Sequence, residues 1–341
     1  MNDQKEIIVK LASRAGRIEG GTDLANQCPN NEPKWGRCRF VSNLMADKYD
    51  WLVLVDDFSP LLPNRRELLN CSRDHTILLT SEPSSVSHYG EGFSSQFKYV
   101  ITNQDERALP HPNGERSQTG NVWYYGKPYC ILVKEAPPKK DFLFSTFCSS
   151  KKQKHTNHAK RFEFTQRLKK DIATLDVYGR GVKPVTQKFE GIEPYKFHLV
   201  IENHIGPDVW SEKLADCFLG FSVPIYCGCP NISDYFPRNS YVSINLENYE
   251  ESLEVITNLI RDPNEYERRL DAVIEARQRV LEEYNLPSML SHFIESRHID
   301  VTETVAKEFL YSKASMRLRK PLDLLNFIKW QLRKRINNRL F

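Results

Sequence analysis

Residues 195–241, YKFHLVIENHIGPDVWSEKLADCFLGFSVPIYCGCPNISDYFPRNSY, place a strand, a helix and a second strand in one stretch. Phe197 to Ile201 is a strand-like apolar run, followed by an acid and an amide, Glu202 and Asn203. A polar loop with Gly206 and Pro207 comes next. Ser211 reads as an N-cap, with Glu212 and Lys213 in the first turn of a helix that Gly220 ends. Val223 to Cys227 is the next strand. The unit is βαβ, with a charged helix start at the carboxyl end of a strand. Open α/β sheets bind ligands at that end, and a helix N-terminus there favours anions.

At 341 residues the chain is long enough for two domains with sizeable cores. An apolar content of 40% with 11% aromatics fits a globular protein and excludes a disordered one. The net charge of +4 is too small for a global basic field directed at nucleic acid. Eight cysteines are scattered without a C-x-x-C pair and read as reduced, packed residues. The N-terminus lacks a secretory apolar stretch, and no run approaches the ~20 apolar residues of a membrane span. The expectation is a cytoplasmic protein.

Outward from the opening stretch, strand-like runs alternate with loops and helices. Trp51 to Val55, Thr76 to Leu79, Tyr99 to Ile101 and Phe142 to Phe144 are strand candidates in the first half. Residues 104–121, rich in Pro, Gly and polar groups, read as a long loop. Ala159 to Leu175 reads as a helix before a strand at Asp176 to Tyr178. Ser252 to Arg261 is a helix stopped at Asp262-Pro263, and another runs from Pro263 to about Tyr284. Pro137-Pro138-Lys139-Lys140 is the best linker signal. The reading is therefore a first domain over 1–140, a ligand-binding domain over 141–300 and a helical tail over 301–341. From Arg317 onward eight basic residues stand against one acid, Asp323. Leu318, Leu322, Leu325, Ile328, Leu332 and Ile336 recur at helical spacing. Such a basic amphipathic helix suits an anionic bilayer surface. The competing reading is a closing helix packed on the domains.

The opening stretch resembles the donor-binding signature of glycosyltransferase family 10, the α-1,3/4-fucosyltransferases. The resemblance rests on Tyr195-Lys196-Phe197, Glu202-Asn203, Ser211-Glu212-Lys213 and Val223-Pro224-Ile225 with Gly228. Upstream, His158, Arg161 and Phe162, and then Val177-Tyr178-Gly179-Arg180-Gly181, match the family's pattern in the right order. The strong part covers about residues 145 to 250. Thr80-Ser81-Glu82-Pro83 is the main likeness in the first half. The sequence departs from better-known members at Trp210-Ser211 and at Cys227-Gly228-Cys229.

The resemblance implies a GT-B-like fold: two Rossmann-like domains facing a cleft. It also implies inverting transfer of L-fucose from GDP-fucose to a glycan hydroxyl, with no cofactor and no metal built into the site. Leaving GDP develops negative charge, which cations and oriented amides must stabilise. Lys213 and Arg161 are the candidates for the diphosphate, and Glu212 for the ribose hydroxyls. His158, Glu202, Asn203 and Ser211 complete the donor-binding set. Inversion needs a base on the acceptor hydroxyl. Glu82, at a strand end before Pro83, is the leading candidate, with Glu91, Asp56 and Asp57 as rivals. Asp56-Asp57 also suggests a metal pair, but it follows an early strand in the wrong half.

Lacking a stem or anchor, the chain is similar to bacterial members that build surface polysaccharide or lipopolysaccharide on the cytoplasmic face of the inner membrane. The basic tail, residues 317–341, would hold it there. One alternative is the same fold with another nucleotide sugar, since diphosphate and ribose are common to all such donors. Another is a non-catalytic glycan- or nucleotide-binding scaffold. No aromatic-basic stripe supports nucleic-acid binding.

Overall fold

The structure, a computed structural model, describes residues 5–14, 22–148, 157–179, 182–300 and 307–337. Two compact units divide the chain: residues 1–120 with 286–340, and residues 121–285.

The first unit carries a seven-stranded sheet. Its strands are β1 (Ile7–Ser13), β2 (Lys34–Trp35), β3 (Cys38–Val41), β4 (Trp51–Val55), β6 (Thr76–Leu79), β7 (Tyr99–Thr102) and β8 (Gly114–Arg116). They lie in the order β2-β3-β1-β4-β6-β7-β8, all parallel except the β2–β3 pair. A separate antiparallel pair joins β5 (Arg66–Leu68) to β14 (Phe309–Tyr311). Helices of this unit include α1 (Thr22–Ala25), α2 (Glu91–Ser94), α8 (Leu286–Glu295), α9 (Lys313–Arg319) and α10 (Pro321–Asn337). Every residue of β4 is buried, as a parallel strand covered on both faces requires. Leu52 and Leu54 pack with Phe58, Leu78, Phe93 and Val100, and Leu310 and Met316 from the far end of the chain close the same cluster.

The second unit holds five parallel strands in the order β10-β9-β11-β12-β13: β9 (Phe142–Phe147), β10 (Leu175–Tyr178), β11 (Tyr195–Ile201), β12 (Val223–Cys227) and β13 (Val242–Ser243). Its helices include the short α3 (Tyr129–Leu132) and the longer α4 (His158–Asp171), α5 (Glu212–Leu219), α6 (Tyr249–Arg261) and α7 (Glu265–Glu282). The two ends of this unit meet: Asn121 N donates to the Tyr284 carbonyl at 2.8 Å. Counting only parallel strands in chain order, both sheets begin 2-1-3-4-5. That order places a topological switch point between the first and third strands of each.

Several expectations are corrected here. The boundary expected near 140 falls at 120/121, and residues 286–300 belong with the first unit. Pro137 to Lys140 is polar but not a linker. Lys140 Nζ is buried and donates to the Glu193 and Gly220 carbonyls at 2.6 and 2.5 Å, tying this segment into the second unit. The stretch 104–121 contains a strand, β8. The helix expected to run to Leu175 stops at Asp171, and Leu175 opens β10. All eight cysteines are free.

The tail helix α10 has two faces: one packs against residues 84–88, and the apolar row picked out by the spacing is on the other. Trp330 Nε1 donates to the Ser84 carbonyl at 2.9 Å, Lys334 Nζ to the Val86 carbonyl at 3.1 Å, and Phe327 packs by His88. Leu318 on α9 and the apolar row of α10 (Leu322, Leu325, Ile328, Leu332, Ile336) point outward, 43% to 82% exposed. Arg339 lies outside the described residues.

One buried group in β11 gives a pH signature. His198 Nδ1 is 2.7 Å from Ser145 Oγ, whose hydroxyl proton goes to the Gly191 carbonyl. The imidazole therefore donates from Nδ1. Burial, with Lys188 and Lys140 acting in the same direction, pushes its pKa down to about 3. The unfolded chain protonates this histidine near pH 6.5, and the folded chain does not. Its stability contribution is complete above that pH and is lost as pH falls toward 3. The slope is about 1.4 kcal/mol per pH unit. Urea titrations between pH 7 and 5 should show this fall, and His198→Asn should flatten it.

Candidate functional site

The carboxyl end of β11 runs directly into Glu202 and Asn203, beside the switch point of the second sheet. Glu202 is 3% exposed, and both of its oxygens are committed. Oε1 accepts from Ser211 N at 2.9 Å and Oε2 from Ser211 Oγ at 2.7 Å. Ser211 in turn caps α5, accepting from Lys213 N. The strand end is thereby fastened to the helix start. Glu202 positions Ser211 and does not face outward.

Lys213 completes this cluster. Its Nζ lies 3.0 Å from Ser211 Oγ, 3.3 Å from Glu212 Oε1 and 3.5 Å from Glu202 Oε2. Burial works against its charge, but the Glu202 and Glu212 carboxylates outweigh burial and the opposing Arg161, and raise its pKa. For Glu212, burial raises the pKa and is overcome by Lys213 and Lys188, so the carboxyl sits below the usual range. The ammonium is thus held charged, partly exposed, at the first turn of a helix, where an anion gains from both.

Asn203 brings in the preceding helix. Its side-chain oxygen accepts from Arg161 Nη1 at 2.9 Å, and its carbonyl accepts from Asn157 N at 3.1 Å. Arg161 is buried on α4 and lies within electrostatic reach of Lys213. His158 is the first residue of α4, partly exposed. Arg161, Glu202, Asn203, Ser211, Glu212 and Lys213 therefore form one cluster, with His158 at its edge on α4. Arg180 and Gly181, which the sequence joined to them, lie outside the described residues.

One of the two departures from the family pattern, Trp210, has a packing explanation. Trp210 is buried edge-on against Phe236, Tyr284 and Tyr235, with ring centroids 4.9, 5.4 and 5.9 Å away. It fills a space that a valine would leave partly empty, and so fixes the chain just before Ser211. At Gly228, an added Cβ would stand 2.3 Å from the Tyr226 hydroxyl and 2.6 Å from Glu202 Cγ. Only glycine lets that loop pass behind Glu202.

The sequence reading missed Lys188 and Asp216. Lys188 Nζ donates to Asp216 Oδ2 at 2.7 Å, while Asp216 Oδ1 accepts from Tyr124 N at 3.1 Å. Burial raises the Asp216 carboxyl to about 6, with Lys188 opposing. Asp216 stands four residues after Glu212, on the same helix face, so Lys188 serves both acids. The one available signal was the Gln187/Glu190 capping box that starts the turn carrying Lys188.

Glu82 belongs to the first unit, on the loop after β6, and is partly buried. Its carbonyl accepts from Gln104 Nε2 at 2.8 Å. Its rivals are differently placed. Asp56 is engaged by Ser81 and the Tyr89 hydroxyl. Asp57 Oδ1 accepts from Phe58 N and Lys313 N. Glu91 is exposed at the start of α2. Among the described residues no group of three His, Cys, Asp or Glu is arranged to hold a metal ion, and no helix is long and apolar enough to cross a membrane.

Residues 137–276 match the family model described as glycosyltransferase family 10 (fucosyltransferase) C-term. An α-(1,3)-fucosyltransferase, FucT, of Helicobacter pylori is 32% identical over 83 residues, covering 24% of this chain and 17% of that protein. The human 4-galactosyl-N-acetylglucosaminide 3-α-L-fucosyltransferase FUT6 is 35% identical over 77 residues, 21% of each chain. The matched stretch thus spans about a fifth of the length of these curated relatives. Among solved structures, an α1,3-fucosyltransferase with GDP-fucose is similar at 17% identity and a TM-score of 0.49, covering 84% of this chain and 94% of that one.

Proposed function

We propose that this chain, whose residues 137–276 match the model of the glycosyltransferase family 10 (fucosyltransferase) C-terminal domain, transfers L-fucose from GDP-fucose to a hydroxyl of a glycan acceptor with inversion at the anomeric carbon. One observation carries the reading. Lys213 and Arg161 converge at the carboxyl end of β11, with Glu212 beside them. Two cations there suit a diphosphate, and an acid held ionised suits a ribose diol. In the proposed step the acceptor oxygen forms the new bond to the anomeric carbon. The bond from that carbon to the GDP oxygen breaks, and GDP leaves with the electron pair. Lys213 and Arg161 take up the charge developing on the leaving group. Glu82 receives the acceptor's hydroxyl proton. Glu202, Ser211 and Asn203 hold these groups in place, and His158 stands at their edge on α4. Neither cofactor nor metal enters this scheme.

The test is thermal stabilisation by GDP, UDP and CMP, followed by mass measurement of the transferred sugar. A shift with GDP and a mass gain of one deoxyhexose fit the proposal. A shift with UDP or CMP instead would assign another nucleotide sugar, and no shift with any nucleotide would leave a binding or scaffold protein.

We also propose that α10 holds the enzyme at an anionic bilayer on the cytoplasmic face of the inner membrane, near a lipopolysaccharide or capsule-type acceptor. The support is its outward apolar row flanked by Lys329, Arg333 and Arg335. The 341-residue chain should sediment with phosphatidylglycerol vesicles. Leu325→Glu with Leu332→Glu should abolish sedimentation while leaving the docked face intact. Equal sedimentation of both proteins would overturn this placement.

A further inference from the structure

The first unit contains a cavity of about 310 Å³ that the proposed reaction does not use. It opens at the switch point of the first sheet. Arg14 follows β1 and Asp57 follows β4, the two strands on either side of that point. Arg65, Lys313 and Arg317 bring three more cations, and Phe327 and Trp330 of α10 form an aromatic wall. Four cations therefore line the cavity against one carboxylate.

That carboxylate offsets them only in part, with Asp56 also acting on Lys313 and Asp323 on Arg317. Asp57 Oδ1 accepts from the amides of Phe58 and Lys313. Lys313 Nζ donates to Ser87 Oγ at 3.2 Å and sits over the Tyr89 ring, and burial lowers its pKa, with Asp57 and Asp56 opposing. Arg317 donates from Nη2 to the His88 carbonyl at 2.8 Å, and its guanidinium carbon stands over Phe327, 3.5 Å from the ring centroid. Its buried Nε has no partner among the described residues. Arg14 and Arg65 form no side-chain hydrogen bond or ion pair among the described residues, yet Arg14 lies within electrostatic reach of both Asp57 and Lys313. Arg65 holds its backbone at φ +51, after Asn64 at +53, and Asp56 stands at φ +64. Non-glycine residues in the left-handed region are strained, and such strain collects at ligand sites.

We propose that this cavity is a binding site for a phosphate group, as a phosphomonoester or diphosphate, separate from the Lys213 cluster. Guanidinium groups bind phosphate bidentately, and the cavity lies at the small end of ligand pockets, roughly 300–1,000 Å³. A phosphate there would give the exposed Arg14 and Arg65 an ion partner, reduce the mutual repulsion of the four cations and give Arg317 Nε an acceptor. Phe327 and Trp330 provide a flat apolar surface for the group that carries the phosphate.

The test is calorimetric titration of the full chain with inorganic diphosphate in the presence of saturating GDP. One diphosphate site should remain. Arg14→Gln combined with Arg65→Asn should weaken it by about tenfold per cation removed. Asparagine is chosen at 65 because it tolerates positive φ. Lys213→Ala should leave this site unchanged. Absence of a site when GDP is bound, or undiminished binding by the double variant, would overturn the proposal. If GDP itself fails to bind, the fucosyltransfer reading fails and this site is still measured. Vesicles of phosphatidic acid identify the source. Recruitment lost in the double variant assigns the phosphate to a lipid headgroup. Recruitment unchanged, with diphosphate binding lost, assigns it to a soluble ligand.

Discussion

Lys213→Ala should lower kcat by about 10²–10³-fold, the usual cost of losing one preorganised group that meets developing negative charge. The proposed leaving group is a nucleoside diphosphate, and Lys213 is the cation at the first turn of α5. Its charge is held by two carboxylates, Glu202 and Glu212, against the pull of burial and Arg161. The substitution should also abolish thermal stabilisation by GDP. The fold should survive, because the bonds from Ser211 to Glu202 do not involve the ammonium. A variant that folds, binds GDP and turns over near the wild-type rate would remove Lys213 from the site. Lys213→Met keeps most of the stem and should behave as the alanine does, which separates loss of charge from loss of packing.

Glu82→Gln should lower transfer by about 10²–10⁴-fold, the range for a general base, while GDP stabilisation stays at the wild-type level. Glutamine preserves shape and hydrogen bonding but cannot take the acceptor's proton. The loop itself should stay in place, since Gln104 holds it through the Glu82 and Ser87 carbonyls. The split between retained donor binding and lost turnover distinguishes a base from a residue that only shapes the loop. Near-normal transfer by Glu82→Gln would transfer the role to Glu91, which is exposed at the start of α2.

The second unit was legible in the sequence because its signals are local. An apolar run, an N-cap and a terminating glycine fix β11, α5 and β12 without any distant partner. The first unit was harder to read. Strand β1 is interrupted by Lys10, which in solution terms argues against a buried strand. Lys10 Nζ reaches Glu67 Oε1 at 2.6 Å and the Leu44 and Ala46 carbonyls, partners far along the chain. The domain boundary failed for a similar reason: the polar Pro137–Lys140 segment is anchored by Lys140 to residues 53 and 80 positions away. In the tail, spacing identified the apolar stripe correctly but not the face that packs. Phe327 and Trp330 dock through ring contacts and one indole hydrogen bond, which hydrophobic periodicity does not register. Lys188 escaped because its role depends on Asp216, 28 residues later.

The interrupted path of the first unit also sets an order of assembly. The second unit, residues 121–285, is a continuous stretch whose ends are hydrogen-bonded to each other. All five of its strands have left the ribosome before α8 is made. The first unit begins synthesis earlier but cannot finish then, because Leu310 and Met316 of its core are translated after the whole of the second unit. A nascent chain therefore completes its second unit before its first, and a message truncated before codon 310 would yield a finished second unit attached to an open sheet.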